Sequence, residues 1–172
     1  MSKVQNVFGY GQPGAVTRSI DDVIISIKNT SEADIPFGTP VFLDSTNNGA
    51  VPFDTSSPQE FTDFLGFAVR VADKTPPTYP LGQFPAGADD GQAGVWHPGD
   101  VMEVLVRGSI AVMTNASGAA GGKLYIRKSD GALITAAGAS GTSVLLENVR
   151  IRKPRKSWST TCEAIVNTRN IL

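Results

Sequence analysis

A chain of 172 residues with a formal net charge of −1 fits one ordinary domain with extensions or two very small ones, and its near-neutrality excludes a charged disordered tail and a general nucleic-acid coat. Its single cysteine, Cys162, excludes an intrachain disulfide framework and any multi-thiolate metal centre. No segment holds the roughly 18 to 20 consecutive apolar residues of a membrane-spanning helix, so a soluble product without a membrane partner is expected.

Residues 1 to 21 follow neither helical nor strand periodicity, because Gly9, Gly11, Pro13 and Gly14 are scattered among the isolated apolar residues Phe8, Tyr10 and Val16. They are expected to form an extended arm that packs against another chain and can be removed without harming the fold. The first strand is expected at Val23 to Ile27, with Val23, Ile25 and Ile27 on one face. After a turn at 29 to 34, Thr39 to Leu43 reads as a second strand in which Pro40 suits the start or an edge. The polar run Asp44 to Gly49 then closes a hairpin through Asn48-Gly49.

Phe64 to Val71 puts Leu65, Phe67 and Val69 on one face and the small Gly66 and Ala68 on the other, which permits close approach by another layer. A long exposed excursion rich in proline and glycine is expected over about 73 to 99. The strongest pattern follows: Met102, Val104, Val106, Ile110 and Val112 keep one parity across Gly108, predicting one long strand bent at the glycine or two short strands meeting at a barrel corner, with the same face buried throughout. Leu124 to Arg127 and Ala132 to Ile134 flank Ser129-Asp130-Gly131 as a hairpin. Val144 to Leu146, Val149 to Ile151 and Cys162 to Val166 are further short strands. No window offers three turns of amphipathic helix. The expected fold is all-β, a small barrel or sandwich over 22–172 with an N-terminal arm over 1–21.

Chemistry is sparse. His97 is the only histidine, so a nucleophile activated by a neighbouring base has one candidate partner, placed between Trp96 and Pro98 in the long loop. Asp89-Asp90 lacks the ligand count and spacing of a metal loop. Gly118, Gly121 and Gly122 precede no helix and fit no phosphate-binding pattern, so they read as a tight connection. Neither catalysis nor a metal nor a cofactor is expected. Arg150, Arg152, Lys153, Arg155 and Lys156 form the one concentrated basic run, with Trp158 just beyond it. It suits either single-stranded nucleic acid or acidic residues on a protein neighbour.

The segment Val7-Phe8-Gly9-Tyr10-Gly11-Gln12-Pro13-Gly14-Ala15-Val16, followed by Arg18-Ser19-Ile20-Asp21-Asp22, resembles the structural cement protein family of tailed bacteriophages. So do Ile35 to Val41, Leu65 to Arg70, Val104 to Val112 and Val166 to Asn170. The similarity covers most of the chain and is least evident over 76–94. It implies a decoration protein on the outside of the phage head, made in the host cytoplasm, that binds the major capsid protein and holds adjacent capsomers together. Self-association as a dimer or trimer is also expected, without membrane or direct nucleic-acid partners. The expected interface residues are Phe8, Tyr10, Val16, Arg18, Arg107, Arg152, Lys153, Arg155 and Trp158. The alternative is a nucleic-acid-binding accessory protein using residues 150–158.

Overall fold

A computed structural model describes residues 11–57, 59–71, 94–156 and 159–167. Its strands in chain order are β1 (Val16–Lys28), β2 (Ile35–Pro36), β3 (Pro40–Asp44), β4 (Gly49–Pro52), β5 (Phe64–Ala68), β6 (Val95–Trp96), β7 (Val101–Met113), β8 (Lys123–Arg127), β9 (Leu133–Ile134), β10 (Ser143–Lys153) and β11 (Thr161–Val166). A 3-10 turn, Phe61–Asp63, leads into β5.

The long sheet runs β4-β3-β5-β7-β11-β10-β8-β9; β1 pairs with β7 beside this path, and β2 with β6 makes a separate two-stranded sheet. The long path has two ends, so of the two expected architectures the fold is the sandwich and not the closed barrel. The main core brings Phe42, Phe64 and Phe67 of β3 and β5 against Leu124, Ile126, Leu146 and Ile151 of β8 and β10. The phenyl rings meet edge-on, at 5.8 Å between Phe42 and Phe64 and 5.4 Å between Phe64 and Phe67, the geometry that aromatic quadrupoles favour. A second core packs Val41, Leu65, Val104 and Val106 with Val23, Ile25 and Ile27 of β1, beneath Ile35, Phe37 and Trp96 around the small sheet.

The Phe64 and Val101 segments pair, with Phe67 opposite Leu105 and Ala68 opposite Val104. Gly66 serves close approach, since a Cβ there would sit 2.2 Å from the Leu105 carbonyl oxygen. Pro40 opens β3, where its missing N–H interrupts no ladder. The β3–β4 hairpin turns through Asn48, in the left-handed region at φ 51°.

Five expectations need correction. The first strand begins at Val16, seven residues before Val23, because Val16 and Arg18 already pair with Ile110 and Ser109 across an irregular ladder. Leu65 does not share a face with Phe67: the β3 ladder steps from Val41–Gly66 to Phe42–Phe64, leaving Leu65 as the extra residue of a bulge, and it drops into the second core. The buried face of β7 does not stay the same through the bend. Met102, Val104 and Val106 face the second core, whereas Ile110 and Val112 face the main one, because Gly108 at φ 125° turns the chain between them. The two short strands expected at 144–146 and 149–151 are one strand, β10, whose register slips between Leu146 and Arg150 so that even-numbered and then odd-numbered residues face the main core. Finally, Val95 and Trp96 lie at the end of the expected excursion yet form β6, with the Trp96 ring buried and its Nε1–H donating to the Val69 carbonyl at 3.0 Å.

Val104 is fully buried and Val101 is 65% exposed. Val104→Asp should therefore lower stability by about 3 kcal/mol or more through an unpaired buried carboxylate, while Val101→Asp should shift thermal unfolding little. Equal melting of the two variants would show the strand to be placed wrongly.

Candidate functional site at the arm root and the basic rim

A side chain at the root of the arm would block the fold, so glycine is required there. Gly14 (φ 80°) and Gly38 (φ 77°) face each other so closely that a Cβ on Gly38 would lie 2.6 Å from the Gly14 nitrogen, and one on Gly14 would lie 2.8 Å from the Phe37 Cβ. That closeness seats the segment in the body. The Gly14 N–H donates to the Ala111 carbonyl at 2.9 Å, the Ala111 N–H donates to the Ala15 carbonyl at 2.9 Å, and the Arg70 N–H donates to the Gly14 carbonyl at 2.8 Å. Val16, half-buried, packs against the main core. The chain toward Phe8 and Tyr10 therefore leaves from a point pinned to β7 and to the segment after β5.

Next to this root lies the basic run, gathered around one carboxylate. Glu163, on β11, has a side chain only 3% exposed; Lys153 Nζ approaches its Oε2 at 3.5 Å and Arg152 Nε its Oε1 at 3.8 Å. Thr17 Oγ1 of β1 donates to the same Oε1 at 2.9 Å. Arg152 also donates from Nη1 to Ser109 Oγ at 3.2 Å, and the Ser109 N–H donates to Asp22 Oδ1 at 3.3 Å. These contacts join β1, the bend of β7, β10 and β11 through one buried charge. Arg155 donates to the Thr114 carbonyl at 2.8 Å, and Arg150 donates to the Glu147 and Val149 carbonyls at 2.8 and 2.9 Å.

Of the expected interface residues, the structure gathers Arg152 and Lys153 around Glu163 and fixes Arg155 beside them, Val16 is partly inside the chain's own core, and Arg107 stands exposed on β7. Phe8, Tyr10 and Trp158 lie outside the described residues, as does the side chain of Arg18. Sequence reasoning missed Glu163, Thr17 and Asp22. The available signal was a lone carboxylate inside the apolar run Cys162 to Val166, but its cations become identifiable only once the register places Lys153 opposite Glu163.

The remaining reactive groups have structural surroundings. Burial pushes the Cys162 thiol up to about 11, with a hydrogen bond involving Thr114 opposing the rise, so it stays protonated and poorly nucleophilic at neutral pH. His97 Nδ1 lies 2.8 Å from Asp34 Oδ1 at the surface, both side chains more than half exposed. Among the described residues, no group of three or more His, Cys, Asp or Glu could hold a metal ion, and no helix is long and apolar enough to cross a membrane. Gly121 and Gly122 form the expected tight connection, bonding to Ile151 in both directions at 2.7 and 2.9 Å.

Most of the charged groups gathered at this rim are engaged in bracing the chain's own strands. Residues 2–167 match the family model described as structural cement protein (E217 gp24/Pam3 gp6), and the chain belongs to that family. It is accordingly a bacteriophage cement, or decoration, protein of the capsid and a non-catalytic structural component. Among solved structures, a chain of the capsid of Myoviridae phage XM1 has the same fold, with a TM-score of 0.65 at 16% identity over 91% of this chain and 90% of that one. No curated protein matches.

Removing one partner from a buried charge cluster leaves the other uncompensated. Arg152→Gln combined with Lys153→Gln should lower the stability of the isolated protein by about 2 kcal/mol, a value discounted for the partial exposure of both cations. Denaturant unfolding checks this. An unchanged midpoint would mean that the rim does not support the body.

Proposed function

We propose that this cement protein sits on the outer surface of the phage head, binds the major capsid protein and holds neighbouring subunits together through its N-terminal segment. The observation that carries the proposal is the pinned arm root. Because Gly14 is bonded to both Ala111 and Arg70, a load on the preceding residues passes directly into β7 and the segment after β5. Phe8 and Tyr10 supply the apolar area such a clasp needs, since buried aromatic side chains commonly anchor interfaces. Symmetry then repeats each contact over the lattice, so modest contacts act together.

Arg18, the exposed Arg107 and Trp158 complete the proposed contact set. In this reading Arg152, Lys153 and Arg155 shape the contacting surface and Val16 anchors the arm, while self-association as a dimer or trimer and assembly in the host cytoplasm go with the same role. The nucleic-acid alternative is supported less well, because the cations at 150, 152, 153 and 155 all have acceptors within the chain, leaving less unspent charge for phosphate.

The test adds three forms to phage heads lacking this component: the full chain, one beginning at Gly11 and one beginning at Ser19. The Gly11 form should melt like the full chain but bind fewer copies and protect the heads less from heat. The Ser19 form should itself melt lower, having lost the Gly14, Val16 and Thr17 contacts. Equal occupancy and protection by the full and Gly11 forms would end the clasp proposal.

A further inference from the structure

Arg70 stands apart from the other arginines whose side chains are described. Arg127 is paired with Asp130, Arg150 and Arg155 donate to carbonyls, Arg152 lies between Glu163 and Ser109, and Arg107 is exposed to water. The Arg70 guanidinium is half-buried. It lies over the Phe37 ring, 5.8 Å from the centroid, and its Nη1 is buried without an acceptor among the described residues. Burial alone accounts for the lowering of its pKa from the ordinary arginine value, with no carboxylate to offset it.

A buried donor with no acceptor is costly, the more so when it carries charge. A guanidinium held over an aromatic ring is also restrained in advance, so less freedom remains to be lost when a partner arrives. Position adds a third element. The Arg70 backbone N–H holds the Gly14 carbonyl, and Phe37, under the guanidinium, meets Trp96 edge-on at 5.9 Å. Arg70 therefore lies where the N-terminal segment leaves the body.

We propose that Arg70 is a receiving site for a carboxylate side chain of the major capsid protein, engaged by the guanidinium beside the arm root when the protein docks. The inference rests on the cement reading and names one contact within it. The planar fork of arginine matches a carboxylate by two parallel hydrogen bonds, and the Phe37 ring backs the charge from the other side. Docking sets a carboxylate beside a guanidinium whose charge the free protein leaves unbalanced, so this contact favours the bound state over the free one.

The experiment pairs two measurements on Arg70→Met and Arg70→Lys: denaturant unfolding of the free protein, and titration onto heads lacking it, scored as copies bound. Methionine keeps most of the apolar stem and removes the unsatisfied donor. The free Arg70→Met protein should therefore be as stable as the unaltered chain or more so, while half-saturation of the heads requires about tenfold more protein. Arg70→Lys keeps the charge without the fork and should fall between. If Arg70→Met occupies the heads like the unaltered chain, the inference is wrong. If the variant is clearly less stable when free, the guanidinium has an acceptor within its own chain and the inference is equally wrong. Failure of the unaltered protein to bind the heads would overturn the cement reading itself, and with it this contact.

Discussion

The fold depends on a single strand having to serve three neighbours. β7 pairs with β1 on both sides of Gly108, with β5 over its first half and with β11 over its second, and no straight strand presents edges and faces in the directions those partners need. The bend at Gly108 resolves this. A φ of 125° is open essentially to glycine alone, and the space beside Gly108 is taken by Asp22, whose Oδ1 would lie 2.0 Å from any added Cβ. Beyond the bend, Ile110 and Val112 turn into the main core while Ala111 turns its backbone to the root of the arm.

That geometry explains why the polar groups sit where they do. A bend exposes backbone and needs lateral support, and Asp22, Ser109, Arg152, Glu163 and Thr17 supply it from four strands. Buried ion pairs rarely add much net stability, but a network that ties several strands together fixes one arrangement against others. A cement protein has the same requirement. Under the proposed clasp, contacts help a shell only if the body between them does not yield, so the residues that brace β7 serve the same role as the proposed contact residues.

Much of the architecture was legible in the sequence because period-two patterns survive wherever strands are regular. The hairpin at Asp44 to Gly49, the hairpin about Gly131 and the bend at Gly108 follow from the residues themselves. The misreadings share one physical cause. A bulge at Leu65, the slip in β10 after Leu146 and the turn at Gly108 each change which parity faces the core, and a change of parity in sequence looks like the end of a strand or like a continuous face. The start of β1 was hidden differently: Gly14 and Pro13 look like an arm, yet glycine is what allows the chain to pass beside Gly38. The basic run was visible as charge, but its carboxylate lies on another strand and only tertiary register reveals the pairing. Family resemblance carried the functional class, which β periodicity alone does not contain.

If β7 and its bend organise the molecule, the most direct measurement is denaturant unfolding of Gly108→Ala beside the unaltered chain. The account predicts a loss of at least about 2 kcal/mol, from left-handed backbone strain and from displacement of Asp22, together with faster amide exchange at Gly14 and Ala111 as the arm root loosens. A variant that unfolds at the same midpoint, with the Gly14 and Ala111 amides as protected as before, would contradict it.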